Sequence, residues 1–277
     1  MDKAYEDMMR ANLKAAGMPD AQIDAMLQMQ KAAMAAANVP ESALTAAMAN
    51  SQQDIAAGFG NLFSGEPEFA MVDAPSVNES YQWAIACGAD LGYMRGDILN
   101  DLPTDADSDK EMFTEMLSDQ WGIENHKDAT EMCDSLLAGR HSKKYHEAAA
   151  KNIAGEDLDN IKKATALFAK DKLIRAGEIP NMLIWDLGRL ANLSRFCYDA
   201  GWLSRDEVLH YLKELALLVQ KNYKSWRDLS IGYQFGRAVW GGVDDDEYEE
   251  MKGNMEELLA DEKSPWKKLP FDMKLAF

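Results

Sequence analysis

Apolar positions recur at helical spacing along most of this chain, and nowhere do they alternate cleanly as a half-buried strand requires. The densest stretch runs from Met182 to Trp240. Between Met182 and Ala200 the apolar residues occupy several faces. Leu183, Leu187, Leu190 and Cys197 mark one, Met182, Leu193 and Phe196 lie beside it, and Ile184, Ala191 and Tyr198 mark a third. A helix apolar on several sides belongs in the middle of a domain. Gly201 is placed to end it in the left-handed conformation. Ser204 with Glu207 predicts a capping box for a helix reaching about Tyr223, and Ser225 with Asp228 predicts a second box for a helix through Leu229, Tyr233 and Trp240. Gly232 and Gly236 share a face of that last helix, where another helix or a ligand can approach closely.

The rest of the chain reads as helices as well. Val77 to Leu99 is helical with interruptions at Gly88, Gly92 and Gly96. Further helices are expected from Ser108 to about Trp121, from Lys127 to Ala138, from Asp157 to Arg175, and from the run Asp244-Asp245-Asp246 to about Leu259. Ser264-Pro265-Trp266 predicts a turn that returns an indole to the core. The fold class is therefore all-α, a multi-helix domain around a central buried helix at about 182–200.

Residues 1–57 differ in composition, being rich in Met and Ala. Ala15-Ala16-Gly17-Met18-Pro19-Asp20 is echoed by Ala36-Ala37-Asn38-Val39-Pro40-Glu41, each ahead of a helical pattern. Met26 and Met29 in the first copy, and Leu44 and Met48 in the second, are candidate partner-binding residues, since Met-rich helices adapt to apolar partners. Residues 58–76 carry Gly58, Gly60, Gly65, Pro67 and Pro75 and read as a linker, with Phe59, Phe63 and Phe69 as docking points. Residues 77–277 form the helical main domain.

Several motifs together resemble a known family. They are Trp121-Gly122-Ile123, Trp185-Asp186-Leu187-Gly188-Arg189, Gly201-Trp202, Ser225-Trp226, Gly236-Arg237 and Ser264-Pro265-Trp266, in that order. The series is similar to the bacterial family called domain of unknown function 1266, from about Tyr81 to Phe271. The resemblance implies a helical bacterial domain and implies no activity. The Met-rich segment lies outside it.

Composition excludes more than it assigns. A net charge of -18 argues against nucleic acid and anionic membrane as partners, because both bind through basic patches. No apolar run reaches membrane-spanning length, and the N-terminus lacks the basic start and apolar run of a signal peptide. Cys87, Cys133 and Cys197 fall in apolar helical surroundings and read as buried thiols, which suits the cytoplasm. No metal site is expected: His141 and His146 are five apart, the wrong spacing for one helix face, and Asp105, Asp107 and Asp109 begin a calcium-loop pattern that Lys110 and Met116 break. No cofactor fingerprint and no hydrolase elbow is present. Basic residues from Arg140 to Arg175 are expected to meet the protein's own carboxylates or solvent, with a phosphate-binding surface as the lesser reading.

The remaining chemistry lies in a candidate polar cluster of Asp186, Arg189, Arg195, Asp199, Trp226, Tyr233, Gln234 and Arg237. Charges on a central helix must be paired or line a wet cavity. Asp186 is expected to pair with Arg189 or Arg237. Such a cluster is either an internal ion-pair network or a pocket for a carboxylate or phosphate group. Two functions follow. One is a non-catalytic interaction or adaptor protein that recruits a protein partner, or assembles with itself, through its N-terminal helices. The other is an enzyme or ligand-binding domain centred on the Asp/Arg/aromatic cluster.

Overall fold

A computed structural model of the chain describes residues 69–102 and 110–277. Met26, Met29, Leu44 and Met48, the linker before Phe69 and the acidic turn that follows Leu102 lie outside the described residues. Every regular element among the described residues is a helix. In chain order these are α1 (Glu79–Ala86), α2 (Ala89–Arg95), α3 (Lys110–Trp121), α4 (His126–Leu137), α5 (Arg140–Lys151), α6 (Glu156–Lys170), α7 (Leu183–Asp199), α8 (Arg205–Asn222), α9 (Trp226–Gly241), α10 (Asp245–Ala260) and α11 (Pro265–Lys268).

Helix α7 is the hub. It packs against α1, α2, α3, α4, α5, α8 and α9. All its side chains but Leu183 and Tyr198 are buried, as its many-sided apolar pattern requires. Two devices bring neighbours close. The first is missing side chains: a Cβ on Gly236 would lie 2.4 Å from the Cβ of Trp185, and one on Gly232 would lie 2.3 Å from the Asn181 carbonyl oxygen. The glycine pair on α9 thus serves tight helix packing. The second is an amide clamp, in which Asn192 Nδ2 donates to the carbonyls of Gly88 (2.9 Å) and Gly188 (3.0 Å). It ties α7 to the junction of α1 and α2.

Helix ends follow the local chemistry. Gly201 closes α7 at φ +75°. Ser204 and Glu207 make the full capping box of α8. Asp244 and Glu247 do the same for α10, so the aspartate run is a helix start. At α9 only half of the expected box exists. Ser225 accepts from the Asp228 amide, but the Asp228 carboxylate accepts from the Lys224 amide instead of completing the box. Helix α6 stops at Lys170, before Arg175. Helix α5 is an addition to the elements expected from the sequence.

The tail closes the domain through indoles. Trp226 lies between Trp83 (5.0 Å between ring centroids) and Trp266 (5.6 Å, near-parallel), with the edge of Phe271 at 5.0 Å. Trp266 Nε1 donates to the Ala86 carbonyl, which is the return of the indole to the core. At the other end Phe69 docks on Tyr93, with ring centroids 4.5 Å apart.

Candidate functional site

The eight candidate residues do not form one site. Helix α7 distributes them over three buried polar centres and an aromatic stack.

The first centre is Asp186, fully buried in the first turn of α7. Its partners come mostly from the start of α5. That helix begins at Gly139, which has a left-handed backbone and no side chain to cap the free amides. Asp186 fills the role from a neighbouring helix. Its Oδ2 accepts from the Ser142 amide (2.8 Å) and its Oδ1 from the His141 amide (3.3 Å). Arg189 Nη2 donates to Oδ1 at 3.0 Å, and His141 Nδ1 lies 2.9 Å from Oδ1 and 2.9 Å from Arg189 Nη2; in the tautomer with its proton on Nδ1 the imidazole donates to Oδ1. Burial pushes the carboxyl upward, but the His141, Ser142 and Arg189 donors outweigh it and hold Asp186 below the usual carboxylate range. The expected Asp186–Arg189 pair is therefore present. Arg189 is fixed further by Nε donating to the Trp185 carbonyl (2.8 Å) and by the Trp185 ring, 4.2 Å from its guanidinium carbon.

The second centre is one that the sequence reading does not contain. Asp90, on α2, is fully buried against α9. Its Oδ1 accepts from Ser230 Oγ (2.7 Å) and Gln234 Nε2 (2.8 Å), while Oδ2 and Gln234 Oε1 have no partner among the described residues. Burial dominates here and pushes Asp90 up to about 7, against the pull of Ser230, Gln234 and Arg237. Arg237 is half-buried and turns one Nη1 to the Met94 sulfur (3.4 Å) rather than to Asp186. Tyr233 packs on Trp185 (5.3 Å between ring centroids). Burial and then the Asp90 carboxylate push its phenol up, while Arg237, Arg189 and Arg95 pull it down.

The third centre lies towards the C-terminal end of α7. Arg195 donates Nη2 to the Ile98 carbonyl and sits in the field of Asp97, Asp199 and Asp101. Burial still lowers its pKa. Trp226 belongs to none of these centres. Its ring is in the indole stack and its Nε1 donates to the Leu269 carbonyl (2.8 Å).

His141 and His146 also separate. His146 Nε2 accepts from the Met182 amide (3.1 Å), while His141 faces Asp186. Sequence reasoning misses His141, Asp90 and Ser230 as functional residues. Asp90 does carry a readable signal: an acid flanked by Gly88 and Gly92, the same four-residue glycine spacing that marks close approach on α9.

Chemically, the Asp186 centre holds an imidazole by Nδ1, with the His141 side chain a quarter exposed. The neighbouring Ser142 hydroxyl is already donating to the Gly139 carbonyl (3.2 Å). Among the described residues no helix is long and apolar enough to cross a membrane.

Comparison with known proteins agrees with the motif series. A match to an uncharacterised protein, YbeR of Escherichia coli strain K12, is 27% identical over 140 residues, which is 47% of this chain and 59% of that protein. The chain thus spans less than two thirds of its curated relative. No solved structure matches. The family model described as "Protein of unknown function (DUF1266)" matches residues 116–271, from α3 through α11 and short of the Tyr81 start read from the motifs. The chain belongs to this family, domain of unknown function 1266.

Proposed function

We propose that the protein is a non-catalytic interaction module. The helical domain is a rigid platform, and the Met/Ala-rich residues 1–57 recruit a protein partner or a second copy of the chain. One observation carries this reading: both oxygens of Asp186, the candidate base, are taken by fixed donors that cap α5 and hold Arg189. A carboxylate used in that way is a brace rather than a base.

The test keeps the chain whole. Met26→Ser, Met29→Ser, Leu44→Ser and Met48→Ser are combined, and proteins captured from the native host are compared with those captured by wild type. The expected result is loss of a specific partner, or a drop in oligomeric state by light scattering, with the melting transition of the domain unchanged. Identical captured sets and identical mass would overturn the proposal.

A second reading is favoured by one feature of the same centre. The Arg189 guanidinium carbon lies 4.2 Å from the Trp185 ring centroid and 5.9 Å from the Trp121 ring centroid, and its Nη2 lies 2.9 Å from His141 Nδ1. This corner can hold a carboxylate or phosphate group. Under that reading His141→Ala abolishes binding of a small anion while the protein stays folded.

A further inference from the structure

At the end of α6 a lysine stands where the backbone asks for glycine. Lys172 has φ +59°. Its amide bonds to the Ala169 carbonyl (3.1 Å) and the Leu173 amide to the Phe168 carbonyl (2.9 Å). This is the helix-closing pattern that Gly201 makes after α7, with φ +75° and the equivalent bonds to Tyr198 and Cys197. Glycine adopts this conformation freely and lysine only at a cost. A costly side chain at such a position invites a functional explanation.

The side chain has somewhere to act. Lys172 lines a cleft of about 420 Å³ together with Lys170, Asp171, Arg227, Lys252 and Glu256. The charges there are unevenly answered. Asp171 accepts from Lys252 (2.9 Å) and from the Tyr248 hydroxyl (3.2 Å), and Lys252 also meets Glu249 (2.6 Å). Lys170 lies in the field of Asp171 without a direct ion pair, and Lys172 and Arg227 form no ion pair with a carboxylate among the described residues; the other acid there is Glu256.

We propose that this cleft binds a phosphomonoester group. Arg227 supplies a planar fork for two phosphate oxygens, and Lys170 and Lys172 supply point charges for the rest. Three cations suit a doubly charged group with three acceptor oxygens better than a carboxylate with one charge and two oxygens. The site uses no residue of 1–57 and none of the Asp186 centre, so it does not depend on the function proposed above. The phosphoryl group can be carried by a small metabolite or by a phosphorylated peptide, and both present the same chemistry.

The experiment is calorimetric titration of the full chain with inorganic phosphate at constant ionic strength, with chloride as the control anion. Saturable phosphate binding is expected, weakened about tenfold in each of Lys172→Gly and Arg227→Gln, as for loss of one charge-assisted bond. Because glycine suits the backbone at 172, Lys172→Gly should melt no lower than wild type without phosphate. Free phosphoserine and a phosphoserine peptide then identify the carrier. Tighter binding of the peptide assigns a phosphorylated protein segment, and equal binding assigns a small molecule. Absence of saturable phosphate binding, or unchanged affinity in both variants, would overturn the proposal. So would phosphate binding with rejection of both phosphoserine probes, which leaves a simple anion trap.

Discussion

Asp186 and Asp90 are both wholly buried carboxylates, each on a helix of the same core, yet their surroundings treat the charge in opposite ways. Asp186 receives four donors, two of them amides of a helix start, and is held below the ordinary carboxylate range. Asp90 receives two neutral donors on one oxygen, none on the other among the described residues, and is pushed up to about 7. Burial is the first influence on both, so the difference lies in what replaces the lost water. Amide dipoles at a helix start and a guanidinium replace it for Asp186. A hydroxyl and a side-chain amide do so only in part for Asp90. Asp186 is therefore a structural charge, and Asp90 is a carboxyl whose charge the fold tolerates poorly.

The comparison breaks most directly at Asp186. Asp186→Ala uncaps α5 and leaves Arg189 buried without its carboxylate, so the expected loss is ~3–5 kcal/mol, measured by urea denaturation. The depressed pKa also sets the acid behaviour. Stability from Asp186 is fully present above the unfolded carboxylate value near ~4 and disappears as pH falls through the lower folded value. Loss of less than about 1 kcal/mol would remove the brace from the account, since that is within the range of an ordinary surface change.

Asp90 should respond with the opposite sign. A raised pKa means the folded state holds its proton when the unfolded chain has released it. Stability therefore falls as pH rises from about 4 towards 7, and the full penalty of the charge is present above about 7. Asp90→Asn keeps an oxygen for Ser230 and Gln234 and cannot ionise. It should match wild type at about pH 3, below both the unfolded and the folded value, and exceed it by roughly 3–4 kcal/mol at about pH 8, since each tenfold change in proton affinity corresponds to about 1.4 kcal/mol. Parallel pH–stability curves for the two proteins would contradict this.

The same contrast explains what the sequence made legible. The central helix, its closing glycine and the Ser204 box are local signals, written within a few residues of the structure they specify. Helix α5 is not. Its sequence offers Tyr145, Ala148 and a run of alanines as an apolar face, and its cap is the side chain of Asp186, supplied from the far side of α6. Nothing near Gly139 announces that. The end of α6 is hard to place for a related reason: the left-handed stop is a lysine, and lysine does not advertise one. The polar cluster is readable as a set of residues because charges on a many-sided apolar helix stand out. Its division is not, because Arg189 and Arg237 are chemically alike and only the packing of α5 and α2 decides which acid each one faces. Asp90 stays hidden because its burial depends on a helix 140 residues away along the chain.

His141 tests how the Asp186 donors share their task. His141→Ala removes the imidazole and keeps the two backbone amides and Arg189. The expected loss near neutral pH is about 1–2 kcal/mol, for one hydrogen bond to a charged group on a partly exposed side chain. With fewer donors the Asp186 carboxyl titrates higher, so acid unfolding should begin at higher pH than in wild type. An unchanged acid transition would show that the amides and Arg189 hold the carboxylate without the imidazole.

Ser230 is the smallest and the sharpest test, because its effect should itself depend on pH. Its hydroxyl donates to Asp90 at 2.7 Å, and that bond pulls the carboxyl pKa down. A donor to an anion is stronger than a donor to a neutral acid. Ser230→Ala therefore costs little at about pH 5, where Asp90 is protonated, and about 1 kcal/mol more at about pH 8, where it is charged. The folded pKa should rise, so the decline of stability extends to higher pH than in wild type. Combining the change with Asp90→Asn removes the titrating group. The cost of Ser230→Ala should then be the same at both pH values. If the single substitution shows a pH-independent gap, or the double variant keeps a pH-dependent one, Ser230 is a packing residue and some other group governs the charge on Asp90.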